Sequence, residues 1–274
     1  MAGSTSDVAR WTNGAGTGNL ATAGNWAVES GTPSTPPAAG EVALFDSRAN
    51  GDVTATLDHF NGTTLGEFRV NGYRGDMGGA GGGLDVDATL MSIDAGGGAL
   101  YIGGTISTLT ANSLGGGSFT LTSGTTTTAS LQAGDYKVNA DAVVTTLNAQ
   151  NCNLTVEDNA TAITTARILG STASITRAVT TLTEDAASKV YVRGSSNTVG
   201  TLNIHGNATH YHQSNGTVTT LNGHSGKFTP AGSPFSAVTV STLNAYNANF
   251  ELVERSGGTT VTVSSRADIG VLED

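Results

Sequence analysis

The chain has 274 residues, of which 38 are glycine and 43 are threonine, and its formal net charge is −10. Charged residues make up 12% of the chain, against about 25% in ordinary soluble domains, and only three of them are lysines. Nucleic-acid binding is disfavoured because neutralising phosphates requires clustered Lys and Arg. A helical bundle is disfavoured because glycine and threonine are poor helix formers.

The single cysteine, Cys152, excludes an internal disulfide framework. The opening stretch 1–7 has no basic segment followed by an apolar run, and no stretch approaches the roughly 18 apolar residues of a membrane span. We therefore expect no signal peptide, no membrane partner and synthesis in the cytoplasm.

The first segment, residues 1–50, differs from the rest in composition. It holds both tryptophans, Trp11 and Trp26, and three of the five prolines, which fit neither a helix interior nor a central strand. We expect an irregular N-terminal cap or docking arm here, followed by a first sheet layer over 51–104. The aromatic residues either fill the open end of the fold or contact a partner protein, because such rings favour interfaces. In the second case Trp11, Trp26 and Phe45 are the interface residues.

Within 51–104, Asp85, Asp87 and Asp94 form the best acidic cluster. Asp85 and Asp87 share one face of a strand through their i, i+2 spacing. Enzymes that cleave polysaccharides on parallel β-helices use two or three carboxylates for acid–base chemistry. No Arg, Lys or aromatic platform accompanies these residues in sequence, so solvated outer-face carboxylates are favoured over a cation or sugar site.

From about residue 105 the chain repeats a short phrase of alternating apolar and polar residues, which is the period of a β-strand. Seven intervals of about 19 residues separate Ile106 from Val240. We therefore predict regular coils with a C-terminal cap over 105–274. The clear copies of the phrase are 144–148, 199–203, 218–222 and 240–244, and the weaker ones are 106–110, 163–166 and 179–183.

A second strand-like phrase follows each first one, and glycine or asparagine separates them, as at Gly96–Gly98 and Gly115–Gly117. These residue types tolerate φ > 0 and mark corners. Like phrases recur in the same direction, so stacked coils form parallel sheets. The sequence predicts an all-β fold, a parallel β-helix (β-solenoid) with about 19 residues per coil. We expect it to be right-handed because parallel crossovers prefer that hand, with a left-handed form of 18-residue coils as the alternative.

Such a solenoid has unpaired strand edges at its ends and a narrow core. Both weaknesses are reduced if copies associate side by side. We therefore expect a homo-oligomer, with a trimer favoured.

Four histidines are candidate metal ligands: His205, His210, His212 and His224. His205 and His224 lie one coil length apart in the sequence, which predicts that they stack on neighbouring coils. If Thr209 and Tyr211 point inward, all four imidazoles lie outside. A His-x-His pair can bind a transition metal, especially where symmetry-related chains meet. No Cys, Asp or Glu accompanies the pair in sequence, so a polar or pH-sensitive face is favoured, and no metal or other cofactor is expected.

The opening pattern consists of Trp11, then Gly24-Asn25-Trp26, a proline-bearing loop, and the stretch 40–46. It resembles the start of bacterial and phage surface β-helix proteins. The Thr-Leu-Asn coils resemble phage virion proteins of repetitive Gly/Thr/Asn character, including head-decoration and fibre proteins. The resemblance implies a virion protein on the capsid surface, with the major capsid protein or another virion protein as its partner.

Three functions remain open. The first is a non-catalytic structural protein that decorates or cements a phage capsid as a homotrimeric β-helix, which fits a start without a signal peptide. The second is a receptor-binding fibre or adhesin module, for which Tyr211, Tyr246 and Phe235 are the only aromatic hints. The third is a polysaccharide lyase or hydrolase, which needs clustered carboxylates with perturbed pKa values.

Overall fold

The computed structural model describes residues 7–49, 51–79, 81–94, 96–230, 237–247, 249–252 and 260–268. These residues form an all-β parallel β-solenoid of about nine turns with about 19 residues per coil, which confirms the predicted fold class. The chain divides into two compact units, residues 1–144 and residues 145–274. The division falls inside the segment that the sequence predicts as one series of regular coils.

In the first unit, two parallel sheets follow an N-terminal strand pair. Its strands are β1 (Val8–Trp11), β2 (Trp26–Ser30), β3 (Val42–Asp46), β4 (Phe60–Asn71), β5 (Leu84–Asp94), β6 (Ala99–Gly103), β7 (Thr105–Ser113), β8 (Ser118–Leu121), β9 (Gly124–Gln132) and β10 (Asp135–Val138). β1 pairs antiparallel with β2 and parallel with β3. From β3 the first sheet continues in parallel through β4, β5, β7 and β9. The second sheet contains β6, β8 and β10, and the start of β5 pairs with β6.

Aromatic rings fill the core of the first coils. Phe45 is fully buried, and its ring lies 5.1–5.7 Å, centroid to centroid, from those of Trp11, Trp26, Phe68 and Tyr73. The indole N–H of Trp26 donates to a backbone carbonyl at 2.8 Å, so its polar atom is satisfied inside the core.

The second unit repeats one arrangement from coil to coil. Its first sheet holds β11 (Ala142–Gln150, which begins just before the unit), β13 (Ile163–Leu169), β15 (Val179–Asp185), β17 (Val199–Ile204), β19 (Val218–Gly223), β21 (Ala237–Ala245) and β23 (Thr260–Asp268). Its second sheet holds β12 (Asn153–Val156), β14 (Thr172–Ile175), β16 (Lys189–Gly194), β18 (Thr209–Ser214), β20 (Gly226–Pro230) and β22 (Phe250–Leu252). Within each sheet, successive strands of this unit pair in parallel.

The predicted phrases stack on one another in the first sheet of this unit. One inward position is held in successive strands by Leu147, Ala166, Leu182, Leu202, Leu221 and Leu243. The spacing between successive members varies: it is shorter than the mean from Ala166 to Leu182 and longer from Leu221 to Leu243. The strand register nevertheless persists, because the loops absorb the difference in length.

The corner between the two sheets needs a residue with positive φ in each of several coils. These residues are Asn151 (51°), Gly170 (56°), Ala186 (54°) and Gly206 (56°). The predicted corner at Asn151 is confirmed, glycine holds two further positions, and Ala186 adopts a conformation that is unfavourable for a residue with a β-carbon. Within the described residues, no helix has the length and apolar character that crossing a bilayer requires.

Candidate functional site: the outer face of the second unit

A ladder of asparagine side chains runs across three strands of the first sheet. Asn203, Asn222 and Asn244 occupy the same outward position on β17, β19 and β21. The Nδ2 of Asn222 donates to Oδ1 of Asn203 at 2.8 Å, and the Nδ2 of Asn244 donates to Oδ1 of Asn222 at 2.9 Å. These bonds fix the orientation of the amides, so the ladder is rigid before any partner arrives.

A stack of aromatic rings lies beside the asparagine ladder, and each ring belongs to the residue two positions after an asparagine of the ladder. The rings of His205 and His224 are 4.2 Å apart and inclined by 10°, which confirms the predicted stacking. The ring of Tyr246 continues the stack: its centroid lies 4.4 Å from that of His224, and the two ring planes are inclined by 4°. Partial burial and the nearby charge of His205 hold the pKa of His224 below its usual value.

A column of threonines forms the third row of this face. It consists of Thr165, Thr181, Thr201, Thr220 and Thr242, which are paired in register on successive strands. At β17, β19 and β21 the threonine, asparagine and aromatic positions hold no Asp, Glu, Lys or Arg. We call these nine positions the outer face: Thr201, Asn203, His205, Thr220, Asn222, His224, Thr242, Asn244 and Tyr246.

Charged residues limit the outer face on one side. Arg167 holds the asparagine position on β13, and Asp185 holds the aromatic position at the end of β15. The uncharged area is therefore confined to the last three described coils that carry all three columns. It is a surface suited to contact with a partner.

The structure separates the four histidines that the sequence groups together. His205 and His224 are partly exposed, whereas His210 and His212 are fully buried. The prediction that all four imidazoles lie outside is therefore wrong for His210 and His212. The register of β16 with β18 places His210 on Val190, so Thr209 and Tyr211 point outward instead.

The histidines considered as candidate metal ligands are not arranged to share an ion. His205 and His224 are stacked face to face, and imidazole lone pairs lie in the ring planes. Two nearly parallel rings whose centroids lie 4.2 Å apart cannot direct both nitrogens to one ion at about 2.0–2.1 Å. In the part of the chain that the structure describes, no group of three or more His, Cys, Asp or Glu side chains is arranged to hold a metal ion.

The predicted acidic cluster is divided between the two ends of β5. Asp85 and Asp87 lie on one face near its start, as predicted, whereas Asp94 is its last residue. The carboxylate of Asp87 accepts hydrogen bonds from the backbone N–H groups of Gly62 (2.7 Å) and Thr105 (2.8 Å). This carboxylate therefore holds neighbouring loops in place.

Asp85 has a different environment from that of its neighbour. Its Oδ2 accepts a hydrogen bond from Nδ2 of Asn61 at 2.9 Å. Partial burial, followed by the charges of Asp87 and Asp58, raises the pKa of Asp85. Asp58 joins the pair only in the folded chain, and nothing in the local sequence pattern indicated it.

The three predicted interface residues lie in the core of the first unit. Trp11 and Phe45 have no exposed surface, and Trp26 is 6% exposed. Such side chains cannot contact a partner in this folded state, so the structure favours the interpretation in which they fill the fold.

The aromatic residues considered for receptor binding are arranged differently from one another. Tyr211 stacks on Tyr191 at 4.6 Å and 7° on the outer side of the second sheet, and the guanidinium of Arg193 lies 5.1 Å from the ring of Tyr191. Tyr246 belongs to the outer face. Phe235 lies outside the described residues.

A shallow cleft of about 200 Å³ opens on the first unit beside a β-bulge in β7. Asn112 is the extra residue of that bulge, and its side chain is exposed. Four further polar side chains line the cleft: Arg69, Asn71, Ser92 and Asp94. The cleft therefore offers hydrogen-bond donors and acceptors within a small volume.

No protein-family model, curated protein or solved structure matches the chain.

Proposed function

We propose that this chain is a non-catalytic structural protein of a phage virion, which decorates or cements the capsid as a homotrimeric β-solenoid. The observation that carries the proposal is the outer face: three uncharged columns repeated without interruption on three successive coils.

The charge of the chain makes this face the favoured place for self-association. Each copy carries a formal charge of −10, and like charges brought together at an interface cost several kcal/mol. The outer faces of three copies can meet around one threefold axis without placing Asp, Glu, Lys or Arg side chains opposite each other. Its amides and rings are already held by their own contacts, so little side-chain freedom is lost on binding.

The proposed partner on the virion is the major capsid protein or another virion protein, and the proposed location is the capsid surface. The repetitive Gly/Thr/Asn character of the coils, which resembles that of head-decoration and fibre proteins, supports this assignment. Cosedimentation with capsids of the phage that encodes the chain is the expected result. A protein that stays in the supernatant at micromolar concentration would contradict the assignment.

Replacing Thr220 by glutamate is expected to weaken self-association at least 100-fold. Thr220 lies in the middle strand of the outer face, so each interface gains like charges that cost several kcal/mol. The wild-type chain should sediment as a trimer at micromolar concentration, and the variant should sediment as a monomer, as measured by analytical ultracentrifugation.

The matched control is Thr155→Glu, which adds the same charge at an exposed position on the second sheet of the same unit. It should leave the trimer intact. A wild-type chain that is monomeric, or two variants that dissociate equally, would show that the outer face is not the interface.

A second candidate, a receptor-binding module, is favoured by the cleft beside Asn112. Its amide, carboxylate and guanidinium groups suit the hydroxyl groups of a saccharide. Binding to a glycan panel that is lost in Asp94→Ala and kept in Thr155→Glu would favour this candidate over the first.

A further inference from the structure

A chain of buried polar groups crosses the interior of the second unit. His210 Nδ1 lies 2.6 Å from Glu184 Oε1, and His210 Nε2 lies 3.3 Å from His212 Nδ1. His212 Nε2 lies 3.1 Å from the carbonyl oxygen of Gly216. The side chains of Glu184, His210 and His212 have no exposed surface. We call these three side chains and the Gly216 carbonyl the buried relay.

Neighbouring coils place apolar residues at the positions equivalent to those of the buried relay. Glu184 on β15 and the two histidines on β18 thus replace aliphatic core residues, and the ring of Phe228 stacks on His210 at 5.3 Å and 6°. The flanking inward residues are Ile168 and Ile204 beside Glu184, Val190 and Phe228 beside His210, and Val192 and Pro230 beside His212.

The charged and titratable residues of the strands packed against the relay point outward. They are Arg167 on β13, Asp185 on β15, Lys189, Tyr191 and Arg193 on β16, Tyr211 on β18 and Lys227 on β20, with His205 directly after β17. Another buried charge in this unit, Arg177, donates its Nε–H to the carbonyl of Glu157 at 2.8 Å. The polar groups of the relay must therefore form their hydrogen bonds with one another.

Hydrogen-bond direction fixes where most of those protons are. A carbonyl oxygen only accepts, so His212 Nε2 must carry hydrogen and donate to Gly216. Neutral His212 then accepts at Nδ1, so Nε2 of His210 must also carry hydrogen. One further proton remains, shared between Glu184 Oε1 and His210 Nδ1.

The environment of Glu184 favours the state in which the carboxyl group carries that proton and His210 Nδ1 accepts the hydrogen bond. Burial raises the pKa of Glu184, and its Oε2 has no hydrogen-bond partner in the described structure, which would leave a carboxylate poorly solvated. Burial also lowers the pKa of His212 to about 3, as expected where an added proton on Nδ1 would face the N–H of His210.

We propose that the buried relay is a pH-sensitive lock on the coils of the second unit, which is satisfied in one protonation state only. An added proton on His212 Nδ1 would face the N–H of His210, so two donors would meet. Loss of the proton shared by Glu184 and His210 would leave a carboxylate facing the lone pair of His210 Nδ1. Either change breaks a buried hydrogen bond and favours opening of the coil, so the lock holds over a limited pH window.

The pH window follows from the two pKa shifts. Because the pKa of Glu184 is raised in the folded state, its stabilising contribution is present below about 4.5 and is lost as the pH rises. Because the pKa of His212 is lowered to about 3, its contribution is present above 6.5 and is lost as the pH falls toward 3. The two trends offset each other between about 4.5 and 6.5, where the lock is strongest.

The decisive variant is Glu184→Gln in the full chain, because its amide N–H can replace the carboxylic O–H as donor to His210 without titrating. Opening of the coil is measured by hydrogen exchange and mass spectrometry on peptides covering β15 and β18, with wild type and variant compared at each pH. Between pH 5 and 8 the opening equilibrium of wild type relative to the variant is expected to rise by up to about 10-fold per pH unit.

A second variant removes the relay entirely. Glu184→Ile with His210→Val and His212→Val reproduces the residues of neighbouring coils, and below pH 4.5 it should open less readily than wild type as the pH falls. A ratio independent of pH for Glu184→Gln would show that Glu184 is ionised in the folded chain and overturn the proposal; if that variant does not fold, the acid response of the triple variant decides. An acid response of the triple variant equal to that of wild type would overturn it as well.

Discussion

Replacing Phe45 by alanine is expected to lower the free energy of unfolding of the first unit by about 3–5 kcal/mol. The ring is fully buried and contacts the rings of Trp11, Trp26, Phe68 and Tyr73. Its removal leaves a cavity bounded by rigid rings that cannot collapse into the space. Urea unfolding followed by tryptophan fluorescence measures the change, because both tryptophans lie in this cluster.

The matched control is Val28→Ala on β2, where the side chain is 58% exposed and the expected change is within about 0.5 kcal/mol. The comparison also separates the two interpretations of the N-terminal aromatic residues. If Phe45→Ala keeps its stability and loses binding to capsids, the residue belongs to an interface and not to the core.

The repeating phrase predicted the fold because it records a physical requirement in every coil. A strand with one buried face needs an apolar residue at alternate positions, and a parallel stack needs those positions to align. The sequence therefore predicts that Leu202 and Leu221 align on adjacent strands, and they are register partners in the structure. The corners at Asn151 and Gly170 were predictable for a similar reason, since few residue types accept positive φ.

The burial of His210 and His212 could not be predicted from alternation alone. The strand Thr-His-Tyr-His-Gln-Ser alternates equally well in either phase, so the pattern does not say which set faces inward. One usable signal was the local coil length, because the step from Leu182 to Leu202 is the same as the step from Val190 to His210. The mean period is slightly shorter than this local step and therefore obscures the register.

Glu184 was missed because a charged residue in a core position contradicts the rule that produced the prediction. It follows Leu182 by two residues and therefore shares the inward face of β15. In the folded chain Glu184 lies opposite His210, and the two side chains are hydrogen-bonded to each other. The outer face was predicted only in part, through His205 and His224, because the asparagine ladder depends on side-chain orientations that spacing does not define.

Replacing Gly124 by alanine is expected to destabilise the first unit by more than about 4 kcal/mol, an exceptional value for one methyl group. Gly124 has a φ of +78°, and a β-carbon there would lie 2.2 Å from the carbonyl oxygen of Gly104 on the preceding coil. Gly104 is equally constrained, since its own β-carbon would lie 2.3 Å from the carbonyl oxygen of Val86. Backbone atoms of stacked coils cannot move aside without breaking strand pairing, so the clash adds to the conformational strain.

The control for this substitution is Gly116→Ala, which has a similar φ of +92° and no atom within 4 Å of the added carbon. It should cost about 1–2 kcal/mol, the strain of the left-handed conformation alone. The difference between the two variants in urea unfolding isolates the contact between coils. Equal losses would mean that stacked coils at this corner have room for a β-carbon, and that glycine is required there only for its backbone conformation.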